Sequence, residues 1–160
     1  MIDKSQSINI GTIAENKFAE ACQKIGITCV KSNTWDDINL HVDFTMILKD
    51  KKRTVDVKAR RKHNRYDNNF DYDMTWIELT NVQGKKGWAY GSEYFLAFEL
   101  EDSFLLFKRE DVLNFTLNKM TGAKGKDFYQ TYQRSGRKDE IVKVSMIDMR
   151  NEVEHKIILK

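Results

Sequence analysis

The sequence predicts an α+β fold, with one long N-terminal helix packed on a mixed or antiparallel central sheet. Three observations carry that prediction. Apolar residues recur at three- and four-residue spacing over residues 10–25. Two neighbouring stretches, HVDFTMIL (41–48) and RTVDVKAR (53–60), alternate between apolar and polar positions. Two strongly apolar stretches, EYFLAFEL (93–100) and SFLLFK (103–108), flank the tight turn Glu101-Asp102.

The helix comes first. Ile10, Ile13, Ala14, Phe18, Ala21, Cys22 and Ile25 fall on one stripe, and Gly26 ends the pattern as a C-terminal cap. Glu15 lies on one margin of the stripe and Glu20 on the other; geometry alone does not choose between them. ITCV (27–30) reads as a short strand and SNTWDDIN (32–39) as a loop. In the next strand Val42, Phe44, Met46 and Leu48 form one face, and His41, Asp43, Thr45 and Ile47 the other. After the turn KDKK (49–52), Val55, Val57 and Ala59 face the core while Thr54, Asp56, Lys58 and Arg60 face away. A short even-numbered turn makes the two strands an antiparallel hairpin. An odd pairing sum then sets Asp43 across from Asp56 or Lys58, with side chains about 5 Å apart. A one-residue slip would send Asp43 to the wrong face.

TWIELTNV (75–82) continues as a strand, with a helix as the alternative, and QGKKG (83–87) as a turn. The apolar hairpin follows, then a short helix in REDVLNFTL (109–117). Residues 119–138 hold six Lys or Arg against one Asp, with Phe128, Tyr129 and Tyr132 among them and four Gly or Ser. Their weak periodicity predicts a basic flap or long loop. EIVKVSMIDM (140–149) and VEHKIILK (153–160) then read as a closing hairpin around Arg150-Asn151-Glu152.

Composition bounds the function. The chain has 160 residues, enough for one domain with a real core over about residues 10–108. At 41% hydrophobic and 11% aromatic it is not a disordered chain. A formal net charge of +3 permits a nucleic-acid partner without demanding one, so the placement of charge has to decide. No apolar run is long enough for a signal peptide or a membrane span, so a cytoplasmic protein with no membrane partner is expected. Cys22 and Cys29 read as reduced core residues, and two cysteines without a paired CxxC argue against structural zinc. The absence of proline excludes a Pro-rich linker or recognition tract.

The chemistry concentrates around DVKARRKHNR (56–65). Two carboxylates within about 5 Å repel, and neither ionises comfortably without a cation between them. Mg²⁺ is the natural cation, since it takes one or two carboxylates together with waters and phosphate oxygens; Mn²⁺ can substitute. Such an ion polarises a phosphoryl oxygen and lowers the pKa of bound water. Lys58, next to it, can position that water or neutralise charge developing on phosphorus. Asp43, Asp56 and Lys58 are therefore sufficient parts for phosphodiester hydrolysis. The alternative is a solvated strand face whose cross-strand ion pairs contribute little.

Asp43, twelve intervening residues and then Asp56-Val57-Lys58 resemble the PD-(D/E)XK nuclease superfamily. The helix GTIAENKFAEAC (11–22) resembles that superfamily's first helix. The block WIELTNVQGKKGWAYGSEYFLAFE (76–99), with Glu78, Gly84, Gly87 and Trp88, is similar to the segment after the lysine motif in small phage-type nucleases. Val42 stands where the pattern carries proline. The resemblance covers roughly residues 10–100 and implies a restriction-endonuclease-like core. It implies Glu15 rather than Glu20 as a third catalytic and metal-binding carboxylate, with the Val57 carbonyl as a further ligand. It also implies cleavage of DNA leaving a 5′-phosphate. Junction resolvases of similar size make branched DNA a substrate to consider and a homodimer an expected assembly; for a phage-encoded enzyme the compartment would be the host cytoplasm.

The cations Arg60, Arg61, Lys62 and Arg65 follow the proposed metal site directly and suit phosphate contacts. Lys124, Lys126 and Arg134 in the basic flap suit a backbone clamp, with tyrosines to stack on bases. Both segments also read as plain solvated loops. Glu78 reads as a supporting group more than a ligand, and His41 as a hydrogen-bonded strand residue. His63 sits in the basic loop, and Trp35, Trp76 and Trp88 read as packing residues. The rival function is a nucleic-acid-binding module that keeps this scaffold without catalysis.

Overall fold

A computed structural model describes residues 4–62 and 68–160, with side chains described from residue 10 onward. The described chain divides into two compact units: Met1–Tyr72 with Ser92–Phe107 and His155–Lys160, and Asp73–Gly91 with Lys108–Glu154.

The first unit is α+β, with a helix on a mixed six-stranded sheet. Helix α1 (Lys4–Lys24) starts before the apolar stripe, and of that stripe Ile10, Ile13 and Ile25 stay exposed. Ala14, Phe18, Ala21 and Cys22 bury themselves against the sheet. Gly26, at φ 74°, turns the chain into β1 (Thr28–Lys31). A short helix α2 (Thr34–Leu40) follows where the sequence predicts a loop. Its signal is local: the Asn33 side chain accepts from the Asp36 N–H at 2.8 Å, and His41 caps the far end in the left-handed region. Seven residues with no buried side chain give apolar periodicity nothing to register.

Strands β2 (Phe44–Leu48) and β3 (Lys51–Lys58) form the predicted antiparallel hairpin. Lys49 and Asp50 both take positive φ, which gives the tight two-residue turn favoured by strand twist. The pairing sum is odd, from Phe44↔Val55 to Leu48↔Lys51. After β4 (Arg61–Lys62) and β5 (Phe70–Asp71), which pair with each other, the chain passes through the second unit. It returns as β7 (Phe95–Glu99) and β8 (Ser103–Lys108), and later as β11 (His155–Leu159). Sheet order is β1-β2-β3-β7-β8-β11, with β3 and β7 parallel. Phe44, Met46, Val55, Val57, Phe95, Ala97, Phe104 and Leu106 meet α1 in one apolar cluster.

The second unit has a three-stranded sheet of order β6-β10-β9, built from β6 (Met74–Thr80), β9 (Thr131–Tyr132) and β10 (Glu140–Ser145). Helices α3 (Arg109–Lys119) and α4 (Met146–Glu152) and a 3₁₀ turn, Trp88–Tyr90, complete it. Two expectations change here. Residues 140–160 are not a hairpin: α4 intervenes, β10 pairs with β6, and β11 pairs with β8 of the first unit. Ser145 caps α4 by accepting from the Asp148 N–H, which breaks the strand where apolar alternation suggests it runs on. Residues 120–139 hold only the short β9 and are otherwise irregular, but backbone bonds pin them, among them Tyr129 N–H to the Lys143 carbonyl at 2.8 Å. No described helix is long and apolar enough to cross a membrane.

Candidate active site

Helix packing decides which strand residues are left for chemistry. Because Val55 and Val57 face α1, Asp56 and Lys58 alternate to the sheet's other face. Lys58 Nζ lies 2.7 Å from Asp56 Oδ2. The regular ladder stops at Phe44↔Val55, three residues short of the strand start the sequence predicts at His41. Beyond it the Asp43 N–H donates to the Val55 carbonyl at 2.8 Å, and Asp43 Oδ2 accepts from the Val57 N–H at 2.6 Å. The carboxylate thus takes a place a strand carbonyl would fill, and it is held against the Asp-Val-Lys motif. Asp43 and Asp56 are each 5% exposed.

The electrostatics follow from that burial. The Asp43 carboxyl is pushed up from 3.8 to about 9, first by desolvation and then by the Asp56 charge. The Val57 N–H works against the rise, while Asp37 within hydrogen-bonding reach and the Glu15 charge add to it. Two buried carboxyls in mutual repulsion hold a proton unless a cation replaces it.

The sequence brings Asp43, Asp56 and Lys58 together; in the structure Asp56 and Lys58 lie on β3, and Asp43, just before β2, bonds the β3 backbone. The structure does not bring Glu15 in as a third member of one tight group. Glu15 lies on α1, on the helix side of the sheet, and its carboxylate bonds the Lys31 ammonium. Lys31 Nζ sits 4.9 Å from the centre of the Phe44 ring. Burial acts against the Lys31 charge, but Glu15, Asp43 and Asp37 outweigh it and the pKa is raised. Among the described residues no group of three or more His, Cys, Asp or Glu side chains stands ready to hold a metal ion. Two carboxylates remain, which still fits Mg²⁺, because waters and phosphate oxygens supply most of its shell. Glu20 lines a groove between α1 and β1, away from this cluster.

Two site neighbours were missed. Asp37 required α2, whose Asn33-x-x-Asp36 cap was the available signal. Lys31 extends β1 by one residue and stands opposite Phe44.

The basic residues fare unevenly. The Arg60 N–H donates to Glu99 Oε1 at 3.2 Å, and its guanidinium donates to the Tyr72 hydroxyl at 3.1 Å and stacks 3.8 Å over Phe70. That residue is a structural tie between β3, β7 and the β4–β5 pair. Arg61 is exposed opposite Asp71, and Lys62 Nζ lies 5.6 Å from the Phe70 ring centre. His63 and Arg65 fall outside the described residues. Lys124, Lys126 and Arg134 belong to the second unit. Lys126 Nζ stands 4.9 Å over Tyr132, Lys124 bridges to Thr131, and Arg134 bonds the buried Asp139 carboxylate. Glu78 accepts from the Trp88 N–H at 3.3 Å and so supports the 3₁₀ turn. Trp88 is buried, whereas Trp35 on α2 is 63% exposed and is not a packing residue.

Comparison of the chain with protein families, with curated proteins and with solved structures finds no match. The likeness to the nuclease superfamily therefore rests on the motif and its geometry alone.

Proposed function

We propose that this chain is a Mg²⁺-dependent DNA endonuclease of the PD-(D/E)XK type. The observation that carries the reading is the Asp43–Asp56–Lys58 constellation: Asp56 and Lys58 on β3 and Asp43 just before β2, two buried carboxyls and an ammonium, with Lys58 Nζ 2.7 Å from Asp56. When bound, the metal would supply polarisation of a phosphoryl oxygen and a more acidic water. Asp43 and Asp56 would hold it, with the Val57 carbonyl as a further ligand. The Val57 N–H fixes the Asp43 carboxylate in place. Lys58 would orient the attacking water and offset charge developing on phosphorus. Glu15 would join only after leaving Lys31. Arg61 and Lys62, in β4 just past the motif strand, suit phosphate contacts. A 5′-phosphate product, a branched substrate and a homodimer belong to the same reading.

The burial of both aspartates, and the pairing of Glu15 and Lys58 with internal partners, favour a second reading: a DNA-binding module without catalysis. One experiment separates the two. Plasmid and synthetic four-way junctions are incubated with Mg²⁺, Mn²⁺ or EDTA, using the wild type, Asp56→Asn and Lys58→Ala. Cleavage that needs metal and disappears in both variants supports the enzyme. Binding without cleavage in either metal supports the module. No DNA affinity at low salt sinks both.

A further inference from the structure

Away from the carboxylates, the junction of α1 with β1 brings the two cysteines of the chain together. Cys22 lies in the last turns of α1 and has no exposed surface; Cys29, in β1, is half-buried, and both thiols are free. The link between them is tightly specified. The Cys22 carbonyl accepts from the Ile25 N–H at 3.2 Å and from the Ile27 N–H at 2.9 Å, with Gly26 at φ 74° between them. Left-handed backbone at this point reverses the chain at once, so β1 runs back beneath the helix. Cys29 packs against the same apolar cluster that contains Cys22. The two thiols are within hydrogen-bonding reach, which lowers the Cys22 pKa against the effect of burial and raises that of Cys29.

The surroundings differ on the two sides of the pair. Cys29 lines an open groove of about 660 Å³ between α1 and β1, together with Asn16, Glu20 and Thr28. A small polar solute can therefore reach one sulfur while the other stays sealed in the core. That asymmetry suits an attacked thiol and a resolving thiol.

We propose that Cys22 and Cys29 form a reversible intramolecular disulfide when a peroxide-class oxidant enters this groove. The Cys29 sulfur attacks the peroxide, and the Cys29 thiol proton passes to the departing oxygen. The O–O bond breaks, an S–O bond forms at Cys29, and the departing oxygen leaves as water. The Cys22 sulfur then displaces the sulfenic oxygen, which departs as a second water with the Cys22 proton, and the S–S bond closes. Two thiols are oxidised by two electrons and one peroxide is reduced to two waters. The bond staples α1 to the edge strand of the sheet. It also ties the helix that carries Glu15 to the strand that carries Lys31. The inference stands independently of the nuclease reading.

The test uses the folded full chain. Reduced protein is exposed to hydrogen peroxide, freed of oxidant, denatured and alkylated with N-ethylmaleimide, and its intact mass is compared with that of an untreated sample. The expected product is monomeric, lighter by two hydrogens and unalkylated, and prior treatment with dithiothreitol restores two adducts. In Cys29→Ser the expected product keeps one alkylatable thiol at Cys22 after the same treatment, because that sulfur is shielded in the native state. Two adducts in oxidised wild type overturn the proposal. A Cys29-linked dimer on a non-reducing gel, or over-oxidised Cys29 beside a free Cys22, overturns it equally.

Discussion

At the scale of single residues, Asp43 sets the behaviour of the site. Its folded-state pKa of about 9 lies above its ordinary 3.8, so the native state holds a proton that the unfolded chain releases. With more protons bound in the native state, stability falls as pH rises through the window from 3.8 to about 9. In the absence of metal the thermal midpoint of the wild type should therefore drop across that range. Asp43→Asn, which keeps the shape of the protonated acid without ionising, should flatten the drop. An equally steep decline in the variant, followed by circular dichroism from pH 5 to 9, would place the titrating group elsewhere. Lys31 offers a complementary reading of the same charges. Its ammonium holds Glu15, so a cation that recruits Glu15 must displace it. Lys31→Met should tighten Mn²⁺ binding by roughly threefold, the scale of a part-exposed ion pair. Calorimetric titration checks it, and weaker binding in the variant would mean that Lys31 supports the site instead of competing for it.

At the scale of elements, the β2–β3 hairpin was legible because two signals agreed. Alternation assigned the faces, and an even turn assigned the register. The turn also carries avoidable strain, since Lys49 and Asp50 sit at φ 47° and 64°. Replacing them with Asn-Gly, the pair best suited to that geometry, should stabilise the protein by about 1 kcal/mol. Urea unfolding at constant m-value would report it; no gain would mean that the two residues make compensating contacts. Helix α2 was not legible by periodicity, because a short helix with an exposed Trp35 and Ile38 buries no stripe. Its information lay in one cap, Asn33 to Asp36, read as loop polarity. Helix α4 escaped for a related reason: Met146, Ile147 and Met149 continue the strand's apolar character, and only the Ser145 cap marks the break. Periodicity finds elements through the surface they bury, so short capped helices pass beneath it.

At the scale of the whole molecule, order along the chain is a poor guide to order in the sheet. The first unit is assembled from three separated stretches, and β3 and β7 pair in parallel across them. No local pattern could specify that β11 docks on β8 while β10 joins β6, because both are short aliphatic strands without a mark for one partner. A buried charge shows how this closure is secured. Glu99, in β7, has its side chain 2% exposed and faces Lys160 Nζ at 3.1 Å, a residue sixty-one positions away. Lys160 also donates to the carbonyls of Leu100 and Glu101 at 2.7 and 3.2 Å. On the other side Glu99 receives the Arg60 N–H, two residues past Lys58. One carboxylate therefore joins the last strand to the end of the motif strand. Lys160→Met leaves that carboxylate buried with only Arg60 to balance it, and should cost about 3 kcal/mol. Adding Glu99→Gln removes the uncompensated charge and should recover most of the loss, because the penalty comes from a stranded ion more than from a missing contact. Urea titrations of the single and double variants decide it. A Lys160→Met protein as stable as the wild type would show that Arg60 alone suffices, and that β11 is held by its backbone ladder with β8.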